Sequence, residues 1–190
     1  PVAITKIFEA GSYKYTSTDN FDVAIRGNGF FQIQLPDGTT AYTRNGQFTK
    51  DSEGNIVNAD GYYLLPQITI PEGSQYLSVA QDGTVSVMLP GETDSTELGQ
   101  IELVNFINPA GLHSMGDNLY LETGASGAPV AGIAGQDGLG DIRHGFVETS
   151  NVQLVEEMTD LITGQRAYEA GSKAITTSDD MLSIVNQLKR

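Results

Sequence analysis

The chain has 190 residues, no cysteine, and 24 acidic against 10 basic residues, for a formal net charge of -14. The missing cysteine excludes disulfides, thiolate nucleophiles and Cys-held zinc or iron–sulfur centres. The acidity argues against nucleic acid and anionic membrane surfaces as partners, because both are bound through clustered Lys and Arg. No stretch approaches the roughly 20 apolar residues that span a bilayer, so no membrane insertion is expected.

In chain order, residues 1–18 read as an extended linker or hairpin segment. They carry Lys6, Glu9 and Lys14 where the apolar run of a secretory signal would sit. The first residue is Pro1 rather than Met, which leads us to expect the later part of a longer polypeptide.

Residues 19–148 read as antiparallel β-structure of the sandwich or barrel-like kind. Apolar runs at Phe21–Ile25, Phe30–Leu35, Ala41–Arg44, Tyr62–Leu65, Gln67–Ile70, Tyr76–Ala80, Thr84–Leu89 and Ile101–Ile107 predict strands. Between them fall Asn28-Gly29, Asp37-Gly38, Asn45-Gly46, Glu53-Gly54, Asp60-Gly61, Asp82-Gly83 and Pro90-Gly91, the residue pairs that tight hairpin turns demand. No helical pattern separates the strands, which disfavours an α/β fold. The Gly- and Ala-rich stretch Gly124–Gly140 is expected to be a long surface loop. Between Lys50 and Arg143 there are thirteen acids and no base, a distribution that would keep copies of the chain apart in solution.

Residues 149–190 reverse the pattern, with no Pro and only Gly164 and Gly171. Ser150 and Gln153 have the form of a capping box. Beyond them Leu154, Met158, Leu161, Gln165, Tyr168, Ser172, Ile175, Asp179, Leu182 and Asn186 recur at spacings of four and three. One helix over about residues 151–188 is predicted, with a seam that is apolar at both ends and partly polar in the middle. That seam needs a cover: either the chain's own β-domain or a helix in an assembly. Gly164 and Gly171 each weaken a helix interior by about 1 kcal/mol relative to Ala.

The residues that could carry chemistry do not combine. His113 and His144 lack metal-ligand spacing. Arg26-Gly27-Asn28-Gly29 begins like a dinucleotide loop, but Gln32 stands where the third Gly belongs. Asp51–Tyr62 has the early carboxylates of a calcium loop, with Ile56 and Tyr62 at the positions that need Gly and Glu; it reads as a hairpin turn. The pairs Glu156-Glu157 and Asp179-Asp180 are adjacent on a helix and diverge. No catalytic residue, metal or cofactor is assigned. A carbohydrate-binding β-module remains a rival, weakened by the absence of Trp, and so does a hydrolase that pairs acids across the β-domain.

Two motifs resemble the signature of the bacterial flagellar rod and hook (axial) proteins. One is Phe21-Asp22-Val23-Ala24-Ile25-Arg26-Gly27-Asn28-Gly29-Phe30-Phe31-Gln32; the other is Tyr42-Thr43-Arg44-Asn45-Gly46-Gln47-Phe48. The runs Phe106–Leu112, Asn118–Thr123, Gly145–Val152 and Gln165–Glu169 resemble the distal-rod branch more than the proximal rod or hook. The resemblance implies a non-enzymatic subunit of a helical tube that carries motor torque from the basal body to the hook. It implies paired terminal helices as an inner coiled-coil core and β-domains outside. The implied partners are further copies, other axial proteins and the outer bushing rings. The implied route is the flagellar type III export apparatus, to a rod crossing the periplasm. The expected self-assembly seam is Leu154, Met158, Leu161, Gln165, Tyr168, Ile175 and Leu182.

Overall fold

The computed structural model describes residues 11–17, 21–91, 94–152 and 154–188, the helix without the side chains at 154, 156, 183 and 185–188. It is mainly β, with one long C-terminal helix. The chain divides into two units, residues 1–151 and 152–190.

The strands of the first unit, in chain order, are β1 (Tyr13–Tyr15), β2 (Phe21–Arg26), β3 (Phe31–Gln34), β4 (Thr40–Thr43), β5 (Gln47–Lys50), β6 (Ile56–Val57), β7 (Tyr63–Leu65) and β8 (Tyr76–Val79). They continue with β9 (Thr84–Met88), β10 (Ser95–Gln100), β11 (Glu102–Asn105), β12 (His113–Gly116), β13 (Leu119–Leu121), β14 (Val130–Ile133), β15 (Asp141–His144) and β16 (Phe146–Glu148). Nine of them form a curled antiparallel sheet in the order β12-β13-β4-β3-β7-β6-β5-β2-β15. A second sheet runs β10-β9-β8, and two ribbons pair β11 with β14 and β1 with β16.

The sheet forms because alternate side chains share one face. In β3, Phe31 and Ile33 are fully buried while Gln32 and Gln34 are half-buried; in β9, Val85 and Val87 repeat the pattern. β2 lies between β5 and β15, and all of Phe21–Ile25 is buried, so it reads as a continuous run rather than an alternation. Phe31 meets Phe48 edge-on at 5.4 Å inside the main core, alongside Ile25, Ile33, Leu64, Ile101 and Leu103. A second cluster gathers Phe30, Tyr42, Val104, Phe106 and Leu112, with Tyr42 and Phe106 edge-on at 4.8 Å.

Two turns are built alike. Gly54 and Gly83 both have positive φ, 88° and 90°, and each carbonyl accepts a backbone N–H from a buried isoleucine further along: Ile70 at 2.7 Å and Ile101 at 2.9 Å. A Cβ on either glycine would collide with the carbonyl oxygen of that same isoleucine, so both the torsion and the close approach demand Gly.

Two expectations are corrected. Gly124–Gly140 is not a loop throughout: Val130–Ile133 forms β14 and pairs with Glu102–Asn105. Gln67–Ile70 is not a strand. Pro66 has no N–H to offer a ladder, and only Thr69 makes a bridge, to Asn55, although Ile68 and Ile70 still enter the core.

The second unit is one helix, α1 (Leu154–Leu188). Residues 151 and 152, expected within the helix, lie outside it. The capping-box partner Gln153 lies outside the described residues.

Candidate assembly surface

Along α1, Leu161, Tyr168, Ile175 and Leu182 recur every seven residues, hence along one line of the helix, with Met158, Ile162 and Gln165 beside them. All of these are exposed, Leu161 at 65% and Tyr168 at 81%. The side chain of Leu154, the first residue of the expected seam, lies outside the described residues. No helix among the described residues is long and apolar enough to cross a membrane. The carboxylates Glu157, Asp179 and Asp180 are exposed, and a Cβ at Gly164 or Gly171 would meet no neighbour.

The signature residues occupy a different place. Phe21, Ala24, Phe30, Phe31, Tyr42 and Phe48 are buried in the two aromatic-rich clusters or the strands between them. Asp22 and Thr43 are buried too. The Asp22 carbonyl accepts the Gly145 N–H at 2.7 Å, and the Thr43 hydroxyl accepts the Asn45 N–H at 3.1 Å. Gly46 accepts the Val23 N–H at 2.9 Å. Most of the motif therefore encodes the packing of β2, β3, β4 and β5, while Arg26, Gly27 and Asn28 are exposed.

Arg44 is the exception among them. Its side chain is only 13% exposed, and its guanidinium faces two motifs and the end of the unit together. Nε and Nη2 donate to Glu148 Oε2 at 3.1 and 3.0 Å. Nη1 donates to the carbonyls of Gly27 and Gly29, both at 3.1 Å, and Nη2 to that of Ile25 at 3.4 Å. Glu148 Oε1 accepts the backbone N–H of Gly11 at 3.0 Å. A cavity of about 440 Å³ opens beside this cluster, lined by Arg44, Gln47, Asn118, Tyr120, Glu148 and Thr149 among others. Sequence reading placed Arg44 and Gly27–Gly29 in separate motifs and missed their union with Glu148, because the partners stand 104 residues apart and nothing local marks the pair.

His113 is exposed on β12 and His144 half-buried on β15; among the described residues no three His, Cys, Asp or Glu side chains gather as metal ligands. Asp51 serves as a turn residue, its carboxylate accepting the N–H groups of Glu53 and Asn55, both at 2.8 Å. Tyr62 packs against the core, while Tyr63 is exposed at its edge.

A curled β-unit followed by a long terminal helix is matched by two family profiles, both of flagellar axial proteins. Residues 24–87 match the D1 domain of the flagellar hook protein FlgE/F/G, and residues 143–188 match the C-terminal part of the flagellar basal body rod FlgEFG proteins. The flagellar basal-body rod protein FlgG of Borreliella burgdorferi is 50% identical over 190 residues, covering 99% of this chain and 71% of that protein. FlgG of Buchnera aphidicola from Schizaphis graminum is 48% identical over 188 residues (99% and 72%), and FlgG of Bacillus subtilis 44% over 174 residues (89% and 65%). The Borreliella burgdorferi flagellar hook protein FlgE is a weaker match, 38% over 145 residues and 30% of its length. The chain belongs to the FlgG family of flagellar basal-body rod proteins, structural subunits of the distal rod.

Proposed function

We propose that the chain self-assembles into the helical tube of the distal rod and transmits motor torque from the basal body to the hook. Residues 149–190 supply half of an inner coiled-coil core and residues 19–148 the outer β-rich layer, with residues 1–18 as the linker. The partners are further copies, the proximal rod and hook proteins and the outer bushing rings, in a rod that spans the periplasm after type III export. The observation that carries this reading is the exposed row Leu161, Tyr168, Ile175 and Leu182, with Met158 beside it. A helix of 35 residues draws most of its stability from packing of its apolar face, and gains it when another helix covers that line. A shaft also calls for many repeated contacts in place of a reactive centre.

Electron microscopy and sedimentation of the unaltered chain and of Leu161→Asp test this. The expected outcome is ordered polymer from the first and dispersed protein from the second, with the β-unit's thermal unfolding unchanged. Polymer from Leu161→Asp would show that the seam is misassigned.

A further inference from the structure

We propose that Arg44 is a positioning residue for rod assembly: its guanidinium, acting through Glu148, locks the strand that enters the β-unit to the strand that leaves it. This rests on the assembly reading above. Among the described residues the entering strand β1 and the leaving strand β16 pair only with each other, three residues against three, in the register Tyr13↔Glu148, Lys14↔Val147 and Tyr15↔Phe146. A two-stranded ribbon that short is marginal in water. Lys14 and Tyr15 are exposed, Tyr13 and the residues of β16 are only half-buried, and the one ring contact across the pair is Tyr15 edge-on to Phe146 at 5.5 Å, so burial alone holds the ribbon weakly.

What holds it is polar and specific. The Glu148 carboxylate joins the Gly11 N–H, held by Oε1, to the Arg44 guanidinium, held by Oε2. Arg44 in turn grips the carbonyls of Ile25, Gly27 and Gly29 at the end of β2, and Tyr13 Oη donates to the same Ile25 carbonyl at 3.1 Å. One residue beyond Glu148, Thr149 closes the ribbon with two bonds from its N–H and hydroxyl to the Ser12 carbonyl, each 2.8 Å. The β-unit ends at Asn151. The clamp thus anchors the last strand of the β-unit, from which the chain runs on to α1, the segment that carries the proposed assembly seam.

Only a guanidinium can do this. It offers a fixed fork of five donors, whereas a Lys ammonium is a single point that cannot span a carboxylate and three carbonyls. Charge alone is therefore insufficient, and Arg44→Lys separates geometry from charge. Hydrogen exchange and electron microscopy on the intact chain give the test. In Arg44→Lys, exchange at the Gly11 and Thr149 amides should rise by at least about tenfold, the scale of losing charge-assisted hydrogen bonds, while amides of the core strands β3 and β9 keep their protection. Polymer should be lost. A disulfide between Ser12→Cys and Thr149→Cys, joined by a backbone hydrogen bond just beyond the last ladder pair Tyr13↔Glu148, should restore polymer in the Arg44→Lys background because it replaces the clamp's tie. The proposal is overturned if Arg44→Lys polymerises like the unaltered chain, if β3 and β9 lose protection along with the ribbon, or if the oxidised pair fails to rescue. In the first of these cases the rod reading itself survives; absence of polymer from the unaltered chain would overturn both.

Discussion

In β3 the alternate residues Phe31 and Ile33 are closed off from solvent, whereas along α1 the residues at sevenfold spacing, Leu161, Tyr168, Ile175 and Leu182, are exposed. Both patterns are regular, and each matches the period of its element. The difference lies in what completes them. A strand's buried face is completed within its own unit, by neighbours such as Phe48 and Leu64. The helix's line finds no completion within its own unit. On the proposed function, apolar residues in the first unit set stability, and in the second they set association.

The largest effect we expect tests that division. Phe31→Ala removes a fully buried ring that packs edge-on against Phe48, and should destabilise the β-unit by about 3–5 kcal/mol in denaturant unfolding. Leu182→Ala removes an exposed side chain of similar character, and should leave the same unfolding transition within about 0.5 kcal/mol. Equal losses from the two substitutions would break the comparison.

The same division governs what the sequence disclosed. α1 was legible because a period sustained over 35 residues, free of Pro, has no competing interpretation. β2, β3, β4, β9 and β11 were legible because apolar runs ended at Gly-containing turns. The strands missed are of two kinds: short ones such as Gln47–Lys50, Ile56–Val57 and Asp141–His144, which bury Phe48, Ile56 and Ile142 but are too brief to form an apolar run, and ones whose residues do not face a core. Ser95–Gln100 is polar and largely exposed, and His113–Gly116 is exposed throughout. Val130–Ile133 sits in a Gly-rich stretch and exists as a strand only because Glu102–Asn105 offers it a ladder. Its partner lies some thirty residues away, so no local pattern could reveal it. The proposed assembly seam was legible as a period in the sequence. The Arg44 clamp was not, since long-range ion pairs leave no periodic trace.

Glycine sharpens the contrast, because the same substitution should act with opposite sign in the two units. Gly83→Ala places a Cβ against the Ile101 carbonyl oxygen at a φ of 90°, and should destabilise the β-unit by about 2 kcal/mol or more. Gly171→Ala meets nothing within 4 Å and should stabilise α1 by about 1 kcal/mol. Thermal unfolding followed in the near ultraviolet reads the first, and the helical circular dichroism signal reads the second. A helical signal that falls in Gly171→Ala would mean that the glycine serves close helix approach rather than merely being tolerated.

The smallest effect is set by acid and should be confined to the β-unit's turns. The Thr39 hydroxyl and then its N–H, at 2.6 and 2.9 Å, hold the Asp37 carboxyl below its ordinary value of 3.8. At Asp82 the Thr84 N–H at 3.0 Å, followed by the Thr84 hydroxyl, does the same. At Asp51 burial pushes the carboxyl up, but hydrogen bonds from the Asn55 N–H and side chain and from the Glu53 and Gly54 N–H groups outweigh it, and the net shift is downward. A carboxyl held lower in the folded chain than in the unfolded one stabilises the fold above the unfolded value. That contribution fades as pH falls from 3.8 toward the folded value and is gone below it. All three side chains are in or near open solvent, so each share is small. Asp82→Asn keeps an acceptor for Thr84 but cannot titrate. Its melting temperature should therefore fall less steeply than that of the unaltered chain between about pH 5 and pH 2. Identical slopes would assign the acid sensitivity to carboxylates outside this turn.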